Sequence, residues 1–375
     1  MKYLVCVFVY FLCATTFIPL KAQNSSVLTI KGTVTGFPKN SMVKLYALSG
    51  NIIDSCYLRG NKFILHKRFT KEAGPVGLTI SKDSVNRNAQ LFLGNENITV
   101  KGSIDNFPNS LTIIGSPNHN LMTNLDKILS DVRIERKDLL SEYLLKKQSG
   151  KMNDSIKNVY WGQAGIIKML DEETLYRQIK FIEKNINSYY SLYLLSILKA
   201  EYKKDELQKL LNRLSPTYKK SNYANAITIS LKSKQFKNGD KFIDFKALDK
   251  NNNTVMFSNY FNDKYVLLDF STPYCHFCLE AIEPLKQLAQ DYPAKLEIVT
   301  LYVDEEKNGY VNFLDKSQKP WSVIWDKKGR FGDAYSLYNI NGTPTFFLFN
   351  KNGILVSKQD GLDDKFFDKV SNIIK

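Results

Sequence analysis

Two cysteines three residues apart, Cys275 and Cys278, carry the most distinctive chemistry in this chain. They follow an apolar run at 265–270 and the turn-forming Ser271-Thr272-Pro273. After them Ile282, Leu285, Leu288 and Ala289 recur at helical spacing. The pattern predicts strand, turn, dithiol and helix, in that order. Cysteines so spaced at a helix start can reach one another and close a small disulfide. Cys275 falls where free backbone N–H groups and the helix dipole stabilise an anion, and the thiolate is the species that attacks disulfides. Cys278, one turn further in, can resolve a mixed disulfide formed on Cys275. A protonated His276 beside Cys275 would favour the thiolate further. The C-x-x-C spacing alone fits half a zinc site equally well, so its surroundings decide.

Two neighbours bear on that decision. Asp269 lies six residues before Cys275 within the apolar run, where an unpaired carboxylate is expensive. Downstream, Gly342-Thr343-Pro344-Thr345 precedes a second apolar run at 346–349. On these residues the segment from about 242 onward resembles the thioredoxin superfamily, and in particular its envelope-located branch of TlpA- and ResA-like proteins. The resemblance implies that Cys275 is the nucleophile, Cys278 the resolving thiol, and Asp269 a buried acid that helps deprotonate Cys278. It also implies a cis proline at Pro344, opposite the disulfide, with a backbone edge beside it for the client chain. Thr343, Tyr274, His276 and Phe277 then become residues that contact clients or tune the couple. The only redox group implied is the Cys275–Cys278 disulfide, with no cofactor and no metal.

The chain departs from the commonest pattern in three places. Tyr274 stands where tryptophan is usual, Pro284 is six rather than five residues after Cys278, and His276-Phe277 is neither Gly-Pro nor Pro-His. A histidine beside the cysteine favours an oxidising couple, whereas the branch as a whole mostly reduces its clients. The expected function is therefore disulfide exchange with cysteine-bearing client proteins, in the reducing direction, with a membrane thiol reductase or oxidase as electron partner. The alternative of the same fold is a disulfide oxidase or isomerase. A peroxiredoxin-like peroxidase is weaker: Thr272 suits its motif, but Leu268 stands where a proline is needed. A non-catalytic binding module leaves the intact dithiol unexplained.

Around this centre the chain of 375 residues, 43% hydrophobic and 24% charged, has room for about two to three domains. Residues 1–22 have Lys2, an apolar run at 3–17, and Pro19 to Ala22, the pattern of a cleaved secretory signal that sends the protein to the periplasm or cell envelope. The run is short for a membrane span, and Cys13 after Phe11-Leu12 suits a lipoprotein signal poorly. Cys6 and Cys13 leave with the signal, so one redox pair remains with one odd thiol, Cys56, expected as a small buried side chain. Lys2 and Lys21 leave too, taking two from a formal net charge of +15. The remaining basic residues are scattered and no nucleic-acid motif appears; the charge suits solubility and weak attraction to acidic clients.

Residues 23–115 alternate apolar and polar side chains between frequent turn signals, which predicts a small antiparallel β-sandwich. On Asp54-Ser55, Gly60-Asn61-Lys62-Phe63 and Ile114-Gly115-Ser116 with Asn118, this part resembles a domain of unassigned function often found before envelope thioredoxin-like domains. His66 and His119 have no companion ligands and read as structural or solvated. Residues 116–236 switch to helical periodicity, opening at Ser116-Pro117, with no fixed repeat. Tyr189, Tyr190, Tyr193 and Tyr202 give this region an aromatic face, either the packing face of a spacer or a client or dimer surface. Residues 237–375 alternate strand and helix as an α/β thioredoxin fold requires. They include a hairpin over 242–257, strands at 296–303, 321–325 and 354–357, and helices near 310–316, 330–337 and 363–374. The whole is multidomain: β-sandwich, helical region, thioredoxin fold.

Overall fold

The computed structural model describes residues 27–375 other than 48–49, 70–71, 308, 312 and 314–318. The expected signal segment and most of the helix expected at 310–316 lie outside the described residues. Eight strands open the chain: β1 (Leu28–Thr35), β2 (Met42–Ala47), β3 (Ile52–Tyr57), β4 (Lys62–Lys67), β5 (Gly74–Lys82), β6 (Val85–Leu93), β7 (Asn97–Ser103) and β8 (Thr112–Ile114). They form two sheets, β4-β1-β7-β8 and β3-β2-β5-β6. The alternation in β1 buries Leu28, Ile30 and Val34 against Val43, Leu45, Leu78 and Ile80 of the facing sheet, while Lys31 and Thr33 point to solvent. Gly32 interrupts the series because the Phe63 ring of β4 occupies the space a side chain would need. The sandwich is not wholly antiparallel as expected. β1 and β7 pair in parallel, from Thr29↔Asn97 to Thr35↔Ser103. The chain visits the second sheet twice between them and returns in the direction of β1, a connection no tight hairpin can make.

Helices follow: α1 (Pro117–Ile128), α2 (Ser130–Gln148), α3 (Asp154–Trp161), α4 (Ile166–Lys184), α5 (Tyr189–Leu198), α6 (Lys204–Asn212), α7 (Pro216–Lys219) and α8 (Asn222–Ser230). Buried Ser116 caps α1, its hydroxyl accepting from the His119 backbone N–H at 3.2 Å, while Pro117 needs no N–H partner at that position. His119 is itself buried, and its Nδ1 accepts from the Phe92 backbone N–H at 3.4 Å. The aromatic face of α5 is not a free client or dimer surface. Tyr190 and Tyr193 pack on Phe92 of β6 at ring separations of 5.1 and 5.4 Å, and Tyr193 meets Tyr223 of α8 at 5.8 Å. Tyr189 and Tyr202 pack on the helical core. The rings of Tyr189, Tyr190 and Tyr193 help fill the seam between sandwich and helices.

The C-terminal sheet has seven strands in the order β10-β9-β13-β12-β11-β14-β15. These are β9 (Lys246–Leu248), β10 (Thr254–Met256), β11 (Tyr265–Ser271), β12 (Leu296–Tyr302), β13 (Ser322–Trp325), β14 (Thr345–Phe349) and β15 (Leu355–Asp360). β11 lies between parallel β12 and antiparallel β14. Both its faces are covered, which is why it is apolar almost throughout. Leu268 and Phe270 face Tyr335 and Tyr338 on one side, and Leu267 faces Leu285, Phe366 and Val370 on the other. Two helices continue from the turn after β11: α9 (His276–Glu280) and α10 (Ile282–Asp291). Pro284, lacking an N–H, cannot bond the carbonyl of Glu280, and the helix is broken at Ala281 just before it.

Candidate active site

Strand β11 ends at Ser271, and the turn that follows delivers Cys275 to the N-cap of α9. Its sulfur does the capping. Cys275 Sγ accepts from the Cys278 backbone N–H at 3.3 Å, a donor it shares with the Cys275 carbonyl at 3.0 Å. On its other side Cys275 Sγ donates to the Thr343 carbonyl at 3.2 Å. The Thr343–Pro344 peptide is cis, and Pro344 is buried at the head of β14. The structure thus brings Cys275, Cys278, Thr343 and Pro344 together from loops at the same end of β11 and β14. Cys275 is half-buried, Cys278 is buried, and both are free thiols. Among the described residues no three His, Cys, Asp or Glu side chains gather as a metal would require.

Asp269 lies beneath this pair in β11, 2% exposed. Its Oδ2 accepts from Thr300 Oγ1 at 2.9 Å, and Thr300 Oγ1 accepts in turn from Trp321 Nε1 at 2.9 Å. Asp269 Oδ1 is buried with no hydrogen-bond partner among the described residues. Burial pushes the Asp269 carboxyl up to about 6, against the opposing pull of Lys319 and the Thr300 hydroxyl. Burial likewise pushes the Cys278 thiol up to about 12, with the hydrogen bond to Cys275 and the charge of Asp269 adding to it. Lys319 is brought down to about 8 by its own burial, against the attraction of Asp269 and Cys278. A buried acid, a buried thiol and a half-buried amine therefore sense one another's charge.

The flanking residues are disposed differently. His276 points outward, 77% exposed, with Nε2 3.0 Å from Glu280 Oε1. The imidazole thus turns to that carboxylate, one turn down the helix, rather than to Cys275. Tyr274 and Phe277 are both more than half exposed beside the dithiol. Cys56 is distant in β3 and half-buried against the sandwich core, where burial raises its thiol. Thr300, Trp321 and Lys319 did not stand out in the sequence. The one signal was a threonine within the apolar stretch IVTLY of β12.

A βαβ core with a dithiol at a helix start, a cis proline facing it and an acid buried below defines a thioredoxin-like domain. Residues 262–355 match the family described as Thioredoxin-like, and residues 28–122 match a domain of unknown function (DUF4369). Over 64 residues, 17% of this chain, the protein is 41% identical to a thioredoxin of Chlorobaculum thiosulfatiphilum. The match spans 56% of that protein, just over half the length of the curated relative. Among solved structures it is similar to the thioredoxin domain of a thiol-disulfide oxidoreductase from Bacteroides vulgatus, at 20% identity and TM-score 0.35, covering 38% of this chain and 100% of that one. It is also similar to a thiol:disulfide interchange protein from Bacteroides sp., at 21% identity and TM-score 0.34, covering 37% of this chain and 91% of that one.

Proposed function

We propose that this protein is an exported thiol–disulfide oxidoreductase that reduces disulfides in client proteins of the cell envelope. The observation that carries the reading is the sulfur of Cys275 at the cap of α9, beside the Thr343 carbonyl, with Cys278 and Asp269 buried behind it. The Cys275 thiolate attacks one sulfur of a client disulfide; an S–S bond forms to the client and the client's own S–S bond breaks. The departing client sulfur takes up a proton. Cys278, a poor nucleophile while its thiol holds its proton to about 12, then loses that proton to ionised Asp269. The Cys278 thiolate attacks Cys275 Sγ, the mixed disulfide breaks, and the expelled client sulfur takes up the proton held by Asp269, so the client leaves as two thiols. The protein is left with a Cys275–Cys278 disulfide, which a membrane thiol reductase must reduce for the next cycle. No cofactor enters these steps.

The test is trapping. Cys278→Ala should accumulate mixed disulfides with clients in an envelope extract, visible as bands that collapse on reduction, whereas Cys275→Ala should form none. If Cys278→Ala traps no client, the reading fails. Equilibration with glutathione buffers tests the direction: a potential near roughly −270 mV marks a reductant, and one near roughly −120 to −180 mV an oxidase or isomerase.

A further inference from the structure

We propose that Cys275 meets its clients inside a cavity built by all three regions of the chain, and that this cavity selects extended polypeptide segments bearing a disulfide. The inference rests on the exchange chemistry proposed above and adds the substrate class. The cavity has a volume of about 850 Å³. Cys275 and Thr343 lie on its floor, Ile52 and Phe69 of the sandwich form one wall, and Ile197 and Tyr223 of the helical region form another. Cys275 therefore opens into a space that sandwich and helical residues help to enclose.

The walls are tied to one another. Asn51 Nδ2 donates to Glu306 Oε2 at 3.0 Å, joining the sandwich to the thioredoxin-like domain. Tyr223 OH donates to the Ala73 carbonyl at 3.0 Å, and the Asn222 backbone N–H donates to Glu72 Oε1 at 2.8 Å, joining helices to sandwich. The Tyr223 ring also meets Phe331 edge-on at 4.9 Å, joining helices to the thioredoxin-like domain. Each region is thus fixed to both others around the cavity rim.

Size and lining point to the occupant. The volume falls among pockets that take a whole small ligand, far below a folded domain but well above the few atoms of a simple dialkyl disulfide. Apolar Ile52, Phe69 and Ile197 share the lining with cationic Lys67, Arg68 and Arg330 and with anionic Glu72 and Glu306. A polypeptide segment presents apolar side chains and both signs of charge together, as this lining does. The floor supplies a backbone contact as well. When Cys275 gives up its proton, its S–H no longer occupies the Thr343 carbonyl. That oxygen is then available to an N–H of an extended client chain, the mode by which strands are read by backbone and alternate side chains.

The experiment compares rate constants of the reduced full chain with three substrates: an unstructured peptide in mixed disulfide with a chromophoric thiol, β-hydroxyethyl disulfide, and a folded protein with a surface disulfide. Ile52→Trp and Ile197→Trp narrow the cavity at side chains 57% and 38% exposed, away from the packed core. Each should lower the ratio of peptide rate to small-disulfide rate about tenfold, in line with what a change in pocket shape does to discrimination. Asn51→Asp sets a carboxylate against Glu306 and loosens the rim, so its rate on the folded protein should rise relative to the peptide. This second variant decides the matter if the tryptophan variants fail to fold. Equal slowing of peptide and small disulfide, or no change in either ratio, overturns the proposal; preferential slowing of the small disulfide assigns the cavity to small thiols instead. A wild-type protein that exchanges with none of the three sinks the oxidoreductase reading itself, a different failure.

Discussion

Asp269 is held at a cost that its position makes measurable. Its carboxyl moves from an ordinary 3.8 to about 6 on folding. A group raised in this way contributes stability below its unfolded value and loses it as pH rises through the folded one. At pH 8 the ionised, buried carboxylate should therefore cost about 3 kcal/mol. Urea unfolding of wild type and Asp269→Asn between pH 4 and pH 8 should show the wild type losing about that much more than the variant. Activity should move the other way. Resolution of the mixed disulfide should speed up as pH rises through about 6 in the wild type. In Asp269→Asn it should be slower by about a hundredfold near neutrality, the scale of one positioned base, and should lose that inflection. Stopped-flow release of client thiol measures both. A residue that destabilises the fold yet speeds the chemistry is difficult to explain by packing.

At the scale of elements, β11, α9 and the loop before β14 were legible because their signals are local. An apolar run, a Ser-Thr-Pro turn and a helical spacing within about thirty residues are enough to put Cys275 at a helix start. The parallel pairing of β1 with β7 was not legible, because it depends on which sheet the intervening strands join. Nor was the gathering of Thr300, Trp321 and Lys319 on Asp269, which reaches across the sheet: Thr300 stands 31 residues from the carboxylate it serves. The tyrosines of α5 misled for a related reason. Helical periodicity shows that a face is aromatic but not what covers it, and here the cover is Phe92, from a strand that precedes α5 by almost a hundred residues. Phe92 is 1% exposed, so Phe92→Ala should cost about 3–5 kcal/mol. Because the ring is shared by β6 and α5, the loss should also raise hydrogen exchange in α5, as mass spectrometry of peptides from 189–198 would record.

For the whole molecule, the seam between the helical region and the thioredoxin-like domain holds a buried cation. Lys199 is 3% exposed; its Nζ donates to the Ser196 carbonyl at 3.0 Å and lies 5.3 Å from the centre of the Tyr335 ring. Burial, with some help from Arg330, brings it down to about 8. For a base lowered on folding, the penalty is full below that value and is relieved as pH rises toward the ordinary 10.5. The wild type should therefore gain stability between pH 8 and pH 10. Lys199→Met should be more stable at pH 7 by about 2 kcal/mol, after the lost cation–π contact offsets part of the gain. It should also lack the alkaline rise, which melting temperatures over that range would show.

The hydrogen bond from Asn51 to Glu306 joins residues 255 positions apart, and that separation is also a delay. At synthesis rates of about 5–20 residues per second, Glu306 follows Asn51 out of the ribosome by about 13–50 s. The chamber around Cys275 therefore cannot close until the last third of the chain has joined the first. A copy cut short before Glu306 would keep the strands of its first domain and have no chamber.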